Sequence, residues 1–405
     1  MNFELSERAK AYQERLLSFM DEHIYPAEAV YEQQMRESGD PHFHPPILEE
    51  LKAEARQRGL WNLFHPHEEW GPGLTNVEYA PLAEIMGRSP DLAPEATNCS
   101  APDTGNMEVL TLFGTDEHKE KWLRPLLDGE IRSAFCMTEP DVASSDATTM
   151  QATAVIEGDE VVLNGRKWFS TGLGHPRCEL LLVMALTDPD ADRYRQHSIV
   201  AVPKDAPGVA VERMLPVMGR YDEPSGHGEV TFTDVRLPVS AIVGGPGRGF
   251  EIGQSRLGPG RVHHCMWLIG LAEMALEAAC RRGVERTAFR KPLVNLGGNR
   301  ERIADARIAI NQARLLVLHT AWLLDTEGIL GALSQVSQIK VAVPLMAQNV
   351  VDMAMQLHGG AGLTDDFPLA GAWTVARALR LADGPDEVHR GVIAKLELAQ
   401  YTAGR

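Results

Sequence analysis

Nowhere does this chain run to 18 uninterrupted apolar residues, so no transmembrane helix is expected. It also lacks any CxxC spacing. The five cysteines, Cys99, Cys136, Cys178, Cys265 and Cys280, are scattered and odd in number. That excludes a disulfide framework or zinc cluster as the organising device and favours a reducing compartment. Positive charge is scarce: 39 Lys and Arg stand against 56 Asp and Glu, a net charge of −17. A surface this acidic argues against nucleic acid and against an anionic membrane as partners. The opening peptide, MNFELSERAKAYQERL, has neither an apolar h-region nor an Arg-rich transit pattern, so no targeting signal and a cytoplasmic location are expected. Metal-ligand spacing is missing as well. His263 and His264 are adjacent, and adjacent helical side chains diverge by about 100°. HFH at 42–44 and HPH at 65–67 are no better, so no metal is predicted.

What is present falls into three zones, and 405 residues leave room for two or three domains. Residues 1–130 read as helical, with Leu16, Met20 and Ile24 on one face and further helical patterns at 47–60, 77–88 and 116–127. Residues 131–243 turn to short β-type runs punctuated by Glu157-Gly158-Asp159 and Asn164-Gly165, the latter the strongest hairpin signal in the chain. This predicts a small antiparallel barrel or sandwich. Residues 244–405 return to long helices. Ile303, Ala306, Ile310, Ala313, Val317, Ala321 and Leu324 keep three-four spacing, and 266–286 and 336–357 are further candidates, the latter containing Pro344. An antiparallel helical bundle is expected there.

Five stretches carry candidate chemistry. FCMTEPDVASSDATTM (135–150) is rich in hydroxyls, with Thr138, Ser144 and Ser145 among them. It reads either as a Ser/Thr-rich turn before a strand or as a loop that offers hydroxyls and N–H groups to a phosphate or polar heterocycle. NGRKWFSTG (164–172) sets Trp168 beside Phe169, followed by Ser170 and Thr171. Strand alternation predicts one ring in the core and one outside, available to stack on a planar group. RTAFRKPL (286–293) is a basic tip, either a solvated helix end or a phosphate site. QLHGGAGL (356–363) is either a helix terminus or a place where backbone meets ligand closely. LADGPDEVH (381–389) sets Asp383 at the expected C-terminal end of a helix, where an anion is disfavoured. Pro385, Asp386 and Glu387 suit the start of the next helix.

In this order the five motifs resemble the acyl-CoA dehydrogenase family over essentially the whole chain. TEP…SD, NGxKWF, RxxF, QxxGGxG and a carboxylate-Gly step are weak singly and specific as a set. The resemblance implies a mainly α fold with a β middle domain: a helical N-terminal domain (1–130), a β-barrel (131–243) and a C-terminal four-helix bundle (244–405). It implies FAD as cofactor, an acyl-CoA substrate desaturated at its α,β bond, an electron-transfer flavoprotein as acceptor, and a homodimer or homotetramer. By resemblance, Phe135, Met137, Thr138, Ser144 and Ser145 run along the flavin, with Ser145 also near the substrate. Phe169 and Thr171 cover the ring, with Trp168 and Ser170 beside them. Arg286, Phe289, Gln356, His358, Gly359 and Gly360 reach the FAD of a neighbouring subunit, and Pro385 and Glu387 join the cofactor set. Arg261, His264 and Gly384 attend the acyl-CoA, and Asp383 matches the catalytic base.

Two departures stand out. The loop reads TEPDVASSD where TEPGAGSD is common, and the base is Asp where Glu is familiar. Both features resemble a subgroup that includes the dehydrogenase domain of kinase-fused animal proteins, with bacterial relatives acting in 4-hydroxyacyl-CoA breakdown. Other branches of the family place the base on the second long helix, at a position that is Gly260 here. A helix C-terminus and an apolar pocket both raise a carboxyl pKa, which suits a base working near neutrality. Ala382 and Gly384 are expected to leave room for the thioester, with backbone N–H groups holding its oxygen. The expected reaction is removal of the pro-R α-proton by Asp383 as hydride passes to flavin N5. Three alternatives stay open: an oxidase, an enzyme of 4-phosphoacyl-CoA or 4-hydroxyacyl-CoA processing, and a flavin- or acyl-CoA-binding scaffold without catalysis.

Overall fold

Ser6 accepts a hydrogen bond from the Ala9 backbone N–H and so starts α1 (Glu7–Phe19). The computed structural model describes residues 4–402, apart from the side chains of 257–259 and 402. After α1 come α2 (Tyr25–Ser38), α3 (Pro46–Gln57), α4 (Asn76–Met86), α5 (Ala93–Ala96), α6 (Asp103–Phe113), α7 (Asp116–His118) and α8 (Arg124–Leu127). Proline at the first position opens α3, and a reciprocal Thr75–Glu78 capping box opens α4. The strands follow: β1 (Arg132–Cys136), β2 (Thr153–Glu157), β3 (Glu160–Thr171), β4 (Cys178–Leu186), β5 (His197–Pro203), β6 (Val209–Met214), β7 (His227–Pro238) and β8 (Ile242–Val243). Then come α9 (Gly249–Glu285), the hairpin β9 (Thr287–Ala288) and β10 (Lys291–Pro292), α10 (Asn299–Gly331), α11 (Leu333–His358), α12 (Leu369–Ala378) and α13 (Asp386–Thr402). Among the described residues no helix is long and apolar enough to cross a membrane.

The chain divides into two compact units. One comprises the residues up to Tyr25, Leu74–Pro94 and Arg261 onward; the other comprises Pro26–Gly73 and Glu95–Gly260. In the first, α11 packs against α10, α12 and α13, and α4 packs on α1 and α10. Ala306, Ile310, Ala313, Val317 and Ala321 are the buried stripe of α10, as the three-four spacing predicts. α11 continues through Pro344. α9 begins 17 residues before the expected start at Met266. Gly253, Gly258, Pro259 and Gly260 conceal that start, because each weakens helix propensity.

The second unit holds an eight-stranded sheet in the order β6-β7-β3-β2-β4-β5-β8, with β1 pairing β4 in parallel. The remaining main pairings are antiparallel. Ala134, Cys136, Ala154, Leu163, Val183, Val200 and Phe232 form part of its apolar core.

Two local expectations are corrected. Asn164-Gly165 is not a hairpin turn; it lies inside β3, where the register with β7 shifts. Gly165 has φ 144°, and a Cβ there would sit 2.5 Å from the Ala152 side chain, so glycine serves a bulge. The β2–β3 turn falls instead at Gly158-Asp159. Alternation also fails at Trp168-Phe169. A second register shift between Lys167 and Ser170 puts Phe169 at φ 48°, and the two rings meet edge to face at 5.1 Å.

Candidate active site

Asp383 is not at a helix end. α12 stops at Ala378, and Asp383 lies five residues later at φ 56°, followed by Gly384 at φ 103°. An aspartate in the left-handed region needs surrounding structure to hold it there. That structure comes from three helices. Arg261 Nε on α9 donates to the Asp383 carbonyl at 3.0 Å, and His389 Nε2 on α13 approaches the same oxygen at 3.2 Å. A carbonyl only accepts, so His389 carries its proton on Nε2 and its Nδ1 faces the Ser337 hydroxyl at 3.4 Å. Lys340 on α11 donates to the Leu379 carbonyl at 2.5 Å. Arg380 and Asp386 close the turn through two guanidinium contacts to one carboxylate oxygen, at 2.9 and 2.7 Å.

The electrostatics of this turn follow from burial. Arg261 and Lys340 are both pushed below their ordinary pKa by desolvation, with the charge of Asp383 pulling each back up. Burial, helped by Arg261 and Lys340, lowers His389 to about 4, so its ring is neutral. His264 Nε2 stands 3.8 Å from Asp383 Oδ2, and the two side chains remain 27% and 19% exposed. The expected helix end is absent at Asp383, and Arg261 and Lys340 are the cations that its charge acts on. The structure thus gathers Arg261, His264 and Gly384 around Asp383, with Pro385 next in the chain.

The other expected positions of this unit lie elsewhere in it. Arg286 follows α9 directly, and the basic tip is a hairpin, not a helix end. Its loop residues, Phe289 and Arg290, both have positive φ (50° and 64°), and Phe289 is 89% exposed. Gln356 is exposed near the end of α11, which Gly359 terminates at φ 64°; Gly360 follows in a 3₁₀ turn. His358 is turned inward, its Nδ1 donating to the Ala354 carbonyl at 2.8 Å and its ring against Phe367. Glu387 is exposed in the first turn of α13.

In the second unit the loop after β1 and the end of β3 come together. The Trp168 N–H donates to the Thr138 carbonyl at 3.0 Å. Beneath them lies a pair that sequence reasoning missed. The Lys167 ammonium, fully buried, donates to Glu139 at 2.7 Å and to the Met137 carbonyl at 2.9 Å. Glu139 also receives the Gln151 and Ala152 N–H groups. One acid thus ties both ends of the loop to β3. Lys167 alternates with Trp168 in a strand, and an inward lysine demands a buried acid; that signal was available in TEP and GRKWF. Ser144 Oγ accepts from the Glu139 N–H at 2.8 Å, while Ser145 is exposed. Thr171 Oγ1 meets His227 Nδ1 at 2.9 Å, and Ser170 is buried. Phe135 lies on β1 with the Arg256 guanidinium 4.1 Å above its ring.

These positions fit a large planar cofactor. Phe169 leaves 45% of its surface exposed on a strained residue. The Trp168 indole N–H is buried, with no acceptor among the described residues. A buried donor of that kind calls for a polar partner.

The comparisons with known proteins agree with this arrangement. The chain matches the acyl-CoA dehydrogenase N-terminal domain over residues 6–130, the middle domain over 134–235 and the C-terminal domain over 247–398. It is 50% identical to a probable acyl-CoA dehydrogenase, FadE2, of Mycobacterium tuberculosis, over 99% of this chain and 98% of that protein. It is 48% identical to acyl-CoA dehydrogenase family member 11 of Mus musculus over 98% of this chain, and spans only 51% of that longer protein. A solved structure of a putative acyl-CoA dehydrogenase from Mycobacterium abscessus, 66% identical, superposes with a TM-score of 0.95 over 98% of this chain and all of that one. With all three domains matched in order and a relative aligned end to end, the chain belongs to the acyl-CoA dehydrogenase family.

Proposed function

We propose that the protein desaturates an acyl-CoA thioester at its α,β bond, with FAD as cofactor and Asp383 as the base. The observation that carries this is the Asp383 turn: an accessible carboxylate on a left-handed residue, with two cations behind it. FAD, when bound, would supply the hydride acceptor for the β-carbon. Asp383 takes the α-proton. Arg261 and His389 fix the carbonyl of the same residue, so its carboxylate stays aimed. In this reading the Gly384 N–H holds the thioester oxygen as charge develops. In the second unit, Thr138, Ser144, Ser145 and the Trp168–Thr171 segment hold the flavin, and the Glu139–Lys167 pair holds them.

Phe289 supports a homo-oligomer, dimer or tetramer, in which the β9–β10 hairpin and the 356–360 turn serve a neighbour's FAD. An exposed aromatic on a strained tip is accessible to a neighbouring chain. An electron-transfer flavoprotein is the proposed acceptor.

A second reading, an acyl group with a hydroxyl or phosphate on it, rests on one observation. Arg256 lies across α6 at Gly105, where a Cβ would come within 3.1 Å of it. Its Nε donates to Asn106 at 2.9 Å. Near it, burial raises the Glu108 carboxyl to about 8 against the pull of Arg256. A polar corner beside Phe135 suits a substituted acyl group better than a plain one. Anaerobic mixing of the holoenzyme with plain and 4-hydroxy acyl-CoA thioesters of four to twenty-two carbons tests both readings. Bleaching of the flavin is expected; no bleaching with any thioester contradicts the proposed reaction.

A further inference from the structure

We propose that His264 carries the proton from Asp383 to solvent. The inference rests on Asp383 being the α-proton base. Each turnover leaves a proton on that carboxyl, and the next requires its removal. The groups that face the turn differ in their ability to take it. Arg261 on α9 and Lys340 on α11 are cations already donating to carbonyls. His389 on α13 is buried, with Nε2 committed to the Asp383 carbonyl and Nδ1 to Ser337. Asp386 is paired with Arg380. The Cys265 thiol is buried and pushed up to about 12, so it holds its own proton. His263 packs its ring on Tyr79 at 4.9 Å. Among the described groups facing Asp383, His264 alone combines a side-chain nitrogen near the carboxylate with access to water.

The geometry requires only a small closure. The 3.8 Å separation contracts to hydrogen-bond length with a side-chain rotation, or is bridged by one water. In the step, the Cα–H bond of the acyl group breaks and an O–H bond forms at Asp383 Oδ2, the electron pair staying with the acyl group. That O–H then breaks as an N–H forms at His264 Nε2, and the imidazolium releases a proton to water. Nε2 is the acceptor, so transfer uses the tautomer with its proton on Nδ1.

Proton return separates this role from a structural one. A 3-thiaacyl-CoA has sulfur in place of the β-carbon, so it offers an acidic α-proton and no hydride. Incubated with the holoenzyme in D2O, it gains α-deuterium only if Asp383 trades its proton with solvent. His264→Asn is expected to slow this exchange about 100-fold and to slow single-turnover flavin bleaching by an ordinary acyl-CoA by a smaller factor, so that the ratio of exchange to bleaching falls. Added imidazole is expected to restore exchange in the variant. Exchange that is unchanged in His264→Asn, or that falls in step with bleaching and resists imidazole, overturns the proposal. Asp383→Asn keeps the underlying reading distinct: if it still exchanges and bleaches, the base itself is misassigned.

Discussion

Two buried charge clusters, one in each unit, make an instructive pair. In the second unit Lys52, Glu95, Asp103 and Arg132 join α3, α5, α6 and β1. Glu95 bonds Lys52 at 2.7 Å and Arg132 at 2.6 Å, and Asp103 bonds Arg132 at 2.9 Å. Two cations meet two anions, and all four side chains are at most 7% exposed. In the first unit Arg261 and Lys340 spend their donors on backbone carbonyls, while Asp383 keeps its carboxylate partly open. The closed cluster has every charge answered, which suits a structural tie. The open one fixes an anion by its backbone and leaves its carboxylate partly exposed, which suits chemistry.

The largest effect is expected where the closed cluster is broken. Arg132→Met leaves buried Asp103 without its cation and Glu95 with Lys52 alone. Loss of one partner of a buried pair costs about 3–5 kcal/mol, a fall in Tm on the order of 10 °C. Calorimetry checks this. If the variant unfolds near the wild-type temperature, the cluster is no tie. Next comes Gly384→Ala in the open cluster. The φ of 103° and a Cβ only 3.0 Å from His389 Nε2 force the turn to shift. A displacement of about 1 Å costs on the order of 100-fold in kcat, while FAD content is expected to hold. An equal loss of both shows that the turn matters only for folding. The smallest effect is electrostatic. Glu108 has a folded pKa of about 8, above its unfolded value, so it adds stability below pH 4.5 that is lost as pH rises through 8. Glu108→Gln is expected to flatten that decline, worth at most about 1.4 kcal/mol per pH unit. Denaturant titrations at pH 5, 7 and 9 measure it, and parallel curves for the two proteins contradict it.

The same contrast explains what was legible in the sequence. Periodicity marked the buried stripe of α10 because tertiary packing there agrees with local pattern. Motif order marked the family and Asp383. Of the groups that fix the Asp383 turn, Arg261 was legible and the others were not. Ser337, Lys340 and His389 read as ordinary helical residues, and their convergence depends on α11 and α13 meeting around a turn. Glu139 and Lys167 were visible as letters within motifs but not as a pair 28 residues apart. Asn164-Gly165 misled because a glycine with positive φ serves a bulge as well as a turn, and only strand register decides between them. Asp383 itself was placed on a helix end because no sequence signal stops α12 at Ala378.

The central claim is that the cation-backed carboxylate of Asp383 removes the α-proton. Asp383→Asn retains the shape and removes the base. Rapid anaerobic mixing of this variant with a saturating acyl-CoA, following the flavin absorbance, tests the claim most directly. The account predicts a yellow, folded protein that binds the thioester but whose bleaching is slowed by at least about 10²–10⁴. Bleaching at close to the wild-type rate would place the base elsewhere.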